Sequence, residues 1–254
     1  TALYDCGTNG VQYYTPPTTY LKPVNKKPNA EVGPPKETIL LIHGFGENGS
    51  AKIFDSSIYR QQITINGGLT ISTKKQKFLY GSLYFDGTDD FISILYNELF
   101  NIGYKNFTID FWIYIPSAQP AYTGIFSIMN YNEVTPRGWC IYIHKDNKIK
   151  ISQDGGTTNI IKSNAINLNQ WNHVAIVRKG TASGDLLIFI NGVLNNTASG
   201  NVNLLPAASC NPVLGRFYAI NHNGLYLNGY IQNFRIAYDV LWTNNFLPPN
   251  ELYN

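Results

Sequence analysis

Leu168-Asn-Gln-Trp-Asn-His-Val-Ala-Ile-Val-Arg178, a Lys-Gly-Thr-Ala-Ser-Gly184 break, and Asp185-Leu-Leu-Ile-Phe-Ile-Asn-Gly-Val-Leu-Asn-Asn196 form the stretch that decides the fold. Trp171, His173, Ala175 and Val177 alternate with Asn172, Val174, Ile176 and Arg178, the period of two expected of a strand. Gly180–Gly184 supplies turn residues, and Leu186–Ile190 reads as a second strand. Asn191-Gly192 suits both left-handed positions of a type I′ turn, so Val193-Leu194 begins a third strand. The middle of this meander is apolar on both faces. Each face needs a cover, and a second sheet is the natural one.

The rest of the chain has the same character. Hydrophobic residues make up 44% of 254 and charged residues 14%, which is enough for a large core and too little charge for a disordered chain. There are 18 Tyr and one Met, and no window carries the periodicity of a helical bundle. Short strands follow one another: Leu83–Phe85, Phe91–Ile94, Asn106–Ile115, Gly124–Met129, Gly138–His144, Lys148–Ser152, Thr158–Lys162 and Leu227–Tyr238. Phe107, Ile109, Phe111, Ile113 and Ile115 share one face. Simple alternation puts Tyr230, Gln232, Phe234 and Ile236 on one face of the last strand. Asn66-Gly67 reads as a hairpin-like turn. Strands with regular turn signals and no crossover helices predict an all-β, antiparallel two-sheet jelly-roll sandwich.

Residues 1–38 read differently. Six of the 13 prolines precede Lys36, and proline cannot donate to the middle of a sheet. This is an extended proline-rich N-terminal arm, with residues 39–254 as the folded domain. Tyr4, Tyr13, Tyr14, Tyr20 and Leu21 make the arm too apolar for a free linker, so it is expected to pack on a neighbour or on the domain. The start at Thr1 without Met is the expected mark of further residues upstream, and no signal peptide opens the chain.

Several function classes are disfavoured. The formal charge is +3 with basic residues scattered, whereas nucleic-acid binding calls for a clustered patch. No apolar run reaches the ~18 residues of a membrane span. Ile39–Gly46 resembles the oxyanion-hole segment of an α/β-hydrolase through His43-Gly44-Phe45-Gly46, but no Gly-x-Ser-x-Gly elbow accompanies it. The bland reading is a strand ending in a Gly-rich loop. Cys6, Cys140 and Cys210 form an odd set, read as buried or incidental thiols with a Cys140–Cys210 bridge left open.

Pieces in one order carry a resemblance: His43-Gly-Phe-Gly-Glu-Asn-Gly-Ser, Asp55-Ser-Ser, Ser82-Leu-Tyr-Phe-Asp-Gly-Thr-Asp-Asp-Phe-Ile and Phe107-Thr-Ile-Asp-Phe-Trp-Ile. Trp171-Asn-His-Val-Ala-Ile-Val-Arg, Ile190-Asn-Gly-Val, Leu214-Gly-Arg, Asn228-Gly-Tyr-Ile-Gln-Asn-Phe-Arg-Ile and Asn244-Asn-Phe-Leu-Pro-Pro follow. Over about residues 39–250 the chain resembles the laminin-G-like, concanavalin-A-like lectin domains, in the version found in bacteriophage tail fibres and virion proteins. The resemblance implies a non-enzymatic binding domain on a virion surface or fibre, or otherwise extracellular. Its partners would be a host glycan or another virion protein, within a homo-oligomer or larger assembly. The alternatives are capsid decoration or fibre assembly, an extracellular cellular lectin, and a glycan-processing enzyme. Hydrolase relatives carry Glu-x-Asp-x-x-Glu on one strand, and no acids here are so spaced; Asp154 and Asp185 sit beside glycines in turns.

The resemblance also implies a structural calcium ion at the sandwich rim, with Asp55 as a ligand. The second family acid falls near Gln232-Asn233, so one charge is missing there. The competing reading of Asp55 is a turn residue bonded to its own backbone. Trp112 and Trp171 are expected to fill the core, and His173 to be a hydrogen-bonded core histidine. Asn48-Gly-Ser50, Asn106-Phe-Thr108 and Asn195-Asn-Thr197 are glycosylation sequons that matter only in a secretory host.

Overall fold

A computed structural model describes residues 37–253 apart from 120–121, 131–136, 154–157, 208–209 and 220–221, plus two short strands near the N-terminus. The chain divides into two compact units, Thr1–Val32 and Gly33–Asn254. In the first, β1 (Leu3–Tyr4) pairs antiparallel with β2 (Gln12–Tyr13). The expected packing of the arm, and Cys6, lie outside the described residues.

In the second unit, one sheet runs in the order β15 (Val193–Ala198), β14 (Leu186–Ile190), β13 (Trp171–Arg178), β8 (Phe107–Tyr114), β19 (Asn228–Ala237), β6 (Ser82–Asp86), β5 (Thr70–Ser72). β3 (Thr38–Ile42) is its eighth strand and pairs with the second half of β19. The facing sheet has seven strands: β12 (Thr158–Ala165), β11 (Lys148–Gln153), β10 (Arg137–His144), β9 (Tyr122–Asn130), β16 (Val213–Leu214), β7 (Phe91–Ile94), β4 (Ile63–Asn66). A small hairpin, β17 (Arg216–Ala219) and β18 (His222–Tyr226), is laddered to neither sheet, and its Phe217 packs on Met129, Cys140 and Tyr142 of the seven-stranded one. Every strand pairing among the described residues is antiparallel, as the sequence pattern predicts. Asn191 (φ 52°) and Gly192 (φ 77°) make the anticipated primed turn between β14 and β15.

The core lies between the sheets. Ile109, Phe111, Ile113, Val174, Ile176 and Ile188 meet Phe126, Ile128, Trp139, Ile141, Ile149 and Ile151, all at most 1% exposed. Phe234 is the tie between the layers: it stacks on Phe111 of its own sheet (5.5 Å between centroids) and on Phe126 of the other (5.2 Å). Removing one such ring, at about 3–5 kcal/mol, would consume a large part of a typical domain's stability.

Four expectations need correction. Asn66-Gly67 is not a hairpin turn, because β4 and β5 belong to different sheets, so this turn is a crossover between layers. In β19, Ile231, Phe234 and Ile236 enter the core, not Tyr230 and Gln232. A β-bulge causes this. Gln232 pairs with Trp112 and Arg235 with Asp110, leaving one extra residue in β19, and Asn233 takes a left-handed φ of 57°. Trp112 and Trp171 stand on the outer face of the larger sheet beside His173 and Tyr114, not between the sheets. Finally, a second sheet covers only one face of the β13–β15 meander.

The irregular C-terminal segment covers the other face. Val240, Trp242 and Phe246 pack on Ala175, Val177, Leu187 and Phe189. Trp242 and Phe246 stack at 4.1 Å and meet the His173 ring edge-on. Thr108 Oγ1 donates to Asp239 O and accepts from Leu241 N–H, and Phe246 N–H donates to Gly192 O. Under the segment lies a buried polar knot. Arg235 donates to both oxygens of Asp110 (2.8 and 3.0 Å), the Tyr253 hydroxyl donates to Asp110 Oδ2, and His173 Nε2 lies 3.4 Å from that oxygen.

Burial raises the carboxyl of Asp110, but the Arg235 charge and the bonds from His173 and Arg235 overcome it, and its pKa falls below the ordinary value. A depressed folded pKa contributes stability that is present above about pH 4 and lost as pH falls through the folded value. Asp110→Ala should lower stability by about 3–5 kcal/mol, because Arg235 is left buried and unpaired. Urea unfolding at pH 7 measures this, and an acid titration of Asp110→Asn should lose part of the wild-type acid sensitivity.

Candidate functional site

Two loops rise at one end of β3, β5 and β6. The first, His43–Gly49, leaves β3; the second, Thr73–Gly81, joins β5 to β6. The Gly-rich first loop is required by contact. At Gly44 (φ 68°) a Cβ would lie 2.8 Å from both Leu83 Cγ and Leu83 N, so a side chain is excluded. Gly46 N–H donates to Tyr80 O (2.7 Å), Thr73 N–H to Asn48 Oδ1 (3.0 Å), and Gly81 N–H to Gln76 Oε1 (2.9 Å). Beneath them, Gln232 Oε1 accepts from Lys77 N–H and Phe78 N–H, anchoring the second loop to β19.

Between the loops is an open cleft of about 590 Å³, lined by Phe45, Gly46, Glu47, Asn48, Thr73, Gln76 and Tyr80. Phe45 is 37% exposed and Tyr80 64% exposed, so both rings face solvent across it. Tyr80 has φ 82°, a left-handed conformation that costs a non-glycine residue of order 1–3 kcal/mol and collects at functional sites. Phe54 extends the apolar rim, edge-on to Phe45 at 6.4 Å. The cleft therefore offers two aromatic faces, two amides, two hydroxyls and one carboxylate, which is chemistry suited to holding a polar ring compound.

His43 lines a smaller neighbouring recess with Phe45, Lys52 and Phe54. Burial pulls its pKa below the ordinary imidazole value, while its 3.0 Å contact with Asn233 Oδ1 and the Asp55 charge pull upward. His43 is thus held neutral at physiological pH and serves to brace the bulge of β19.

Asp55 is placed elsewhere and used differently from the calcium ligand the resemblance implies. It is 2% exposed. Oδ1 accepts from Leu41 N–H (2.8 Å) and Ser57 N–H (2.9 Å); Oδ2 accepts from the Ser57 hydroxyl (2.6 Å) and Gln61 N–H (2.8 Å). All four lone-pair sites of the carboxylate are filled by donors whose positive ends would repel a cation. Gln232 and Asn233, at the expected second acid, are occupied by loop N–H groups and by His43. This donor set does not fit calcium. Asp55 instead closes the outer edge of β3, where Gln61 and Ser57 also reach Ile39 O, and so protects that edge from pairing with another chain.

The other chemical candidates are structural. His173 and Asp110 are fully buried under the C-terminal segment and reach no cleft. Asp185 pairs with Lys179 (2.9 Å) in the β13–β14 turn, and Asp154 lies outside the described residues. Cys140 and Cys210 form no bridge with each other, and burial pushes the Cys140 thiol far above its usual range. The cleft residues themselves escaped the sequence reading. Their one signal was an aromatic between two glycines, Gly44-Phe45-Gly46, and another before Gly81, where a ring on a tight loop has no core to enter.

Residues 84–244 match the family model described as the concanavalin A-like lectin/glucanases superfamily. Botulinum neurotoxin type E of Clostridium butyricum is 28% identical over 171 residues, which is 60% of this chain and 13% of the toxin. The binding domain of botulinum neurotoxin DC, solved in complex with rat synaptotagmin II, superposes with a TM-score of 0.57 at 21% identity, over 81% of this chain and 49% of that one. Botulinum neurotoxin type C, whose cell entry is dependent upon interaction with two ganglioside molecules, gives 0.55 at 20%, with the same coverage. At these identities the structural likeness is one of fold. The chain spans about half of those solved chains.

Asp55→Ala should strand three buried N–H donors and lower stability by about 2–4 kcal/mol. Chemical denaturation checks this, and the variant should also associate more readily in light scattering, through the uncovered edge of β3.

Proposed function

Because the chain belongs to the concanavalin A-like lectin/glucanase superfamily, we propose that it is a non-enzymatic binding domain whose rim cleft takes a glycan. The observation that carries this reading is the pair of exposed rings, Phe45 and Tyr80, facing one open cleft beside Asn48, Thr73, Gln76 and Glu47. Sugar rings have apolar C–H faces and a hydroxyl rim. An aromatic face covers the first and amides and hydroxyls satisfy the second. The backbone is already strained at Tyr80, so the ring is presented before any ligand arrives and little ordering remains to oppose binding.

The same cleft supports a binding role over a glycosidase. Glycoside hydrolysis calls for two carboxylates flanking the scissile bond, and Glu47 is the one acid that lines the cleft among the described residues. The likeness to toxin binding domains supports an extracellular place of action. A virion or fibre surface is a setting in which such a domain would serve attachment, although the relatives named above are toxins. A protein partner is the second reading, favoured by Leu79, which is 69% exposed beside Tyr80 on the same loop.

An immobilised glycan array probed with the full chain tests the proposal. Retention of a defined oligosaccharide class is expected. Phe45→Ala and Tyr80→Ala should each weaken it roughly 3–10-fold, from the ~0.5–1.5 kcal/mol of a ring contact, without lowering the melting temperature. Retention unaffected by both variants, or no retention at all, would count against the cleft and favour the protein partner.

A further inference from the structure

We propose that Asp86, Asp89 and Asp90 form a calcium site at the opposite ends of β5 and β6 from the cleft, distinct from Asp55 and independent of the glycan reading. One carboxylate oxygen from each of the three acids lies within 4.8 Å of the others. Among the described residues none of them has a Lys, Arg or His partner. Proximity alone would prove little, but two further observations point to an ion.

The first is Asp90, which is 1% exposed. Its Oδ2 accepts from Asp86 N–H (3.0 Å), while its Oδ1 is buried and closes no hydrogen bond. A buried carboxylate oxygen without a donor is costly unless something positive occupies its lone pairs.

The second is the direction in which the oxygens converge. The point where a Cβ of residue 67 would stand lies 2.6 Å from Asp90 Oδ1, 2.7 Å from Asp89 Oδ1 and 2.7 Å from the Asp89 carbonyl oxygen. Residue 67 is glycine (φ 71°), so no side chain comes between these oxygens. An all-oxygen set that includes a main-chain carbonyl suits calcium better than a transition metal. Asp86 Oδ1 accepts from Thr88 N–H, which leaves Oδ2 as the fourth donor.

The ion would join two crossovers between the layers, the β4–β5 turn at Gly67 and the β6–β7 turn at Asp86–Asp90. It would therefore fasten the two sheets together at one rim, and its expected effect is on stability. The three-carboxylate set places its affinity with extracellular calcium modules, at a Kd of about 0.1–1 mM.

The test is thermal unfolding of the full chain, dialysed against chelator and then given 10 mM calcium chloride or sodium chloride of matched ionic strength. Mass action predicts a rise of roughly 3–10 °C with calcium, and isothermal titration should show one site. Asp89→Asn, at an exposed position, and Asp90→Asn should each abolish the rise. Asp55→Asn should start from a lower melting temperature and keep it. No rise and no heat with the wild-type chain would overturn the proposal, as would an equal rise with sodium. A rise that survives Asp89→Asn and Asp90→Asn but disappears in Asp55→Asn would place the ion at Asp55 and equally overturn it.

Discussion

A carboxylate in the middle of a dry sheet sets conditions that much of the domain meets. Asp110 stands at the centre of β8, fully buried, and a charge there is tolerable only if paired and hydrogen-bonded. Arg235 provides the partner, but only because β19 carries a bulge at Asn233. In an unbroken strand, pairing Gln232 with Trp112 would bring Phe234 opposite Asp110 and turn Arg235 into the core. The bulge restores both: Phe234 stacks between Phe111 and Phe126, and Arg235 reaches Asp110. The extra residue must accept a left-handed φ, which asparagine tolerates, and His43 holds it by a side-chain contact and by accepting the Asn233 N–H. The charge, the bulge and the exit of β3 into the cleft loop are thus one connected arrangement.

That arrangement also fixes what lies on either side of it. Toward the C-terminus, Tyr253 completes the Asp110 shell and holds down a segment whose Trp242 and Phe246 cover the outer face of β13 and β14. Toward the cleft, Gln232, one residue before the bulge, anchors the loop that presents Tyr80. Binding loops on a rigid sandwich are a common solution, because the scaffold supplies precision while the loops supply chemistry. Here the scaffold reaches the loops through β3 and β19, which are tied together where His43, just past the end of β3, meets Asn233 in the middle of β19.

The layered β architecture was legible in the sequence because period-two alternation and Asn-Gly turns are local signals. Phe107 to Ile115 and the β13–β15 meander read correctly for that reason. Tyr230 and Gln232 were grouped with Phe234 and Ile236 because a bulge shifts the phase by one residue without altering composition. The C-terminal cover was missed because the proline-rich end has no periodicity, and its apolar residues become intelligible only beside Ala175 and Phe189. The chemistry of acids was the least legible. Asp55 and Asp90 are both buried carboxylates in similar loop contexts, yet one is filled by four donors and the other leaves an oxygen bare. Only the positions of N–H groups from distant segments tell them apart. The cleft was invisible for a related reason: Phe45 and Tyr80 meet through loops separated by two strands.

The claim at the centre of this account is that ligand recognition occurs between the two rim loops. Backbone amide NMR of the full chain titrated with an oligosaccharide it retains addresses that claim directly. The account predicts dose-dependent shifts confined to Phe45–Asn48 and Thr73–Gly81, with the β13–β15 meander unmoved. Shifts centred on the outer face of either sheet, with these loops silent, would contradict it.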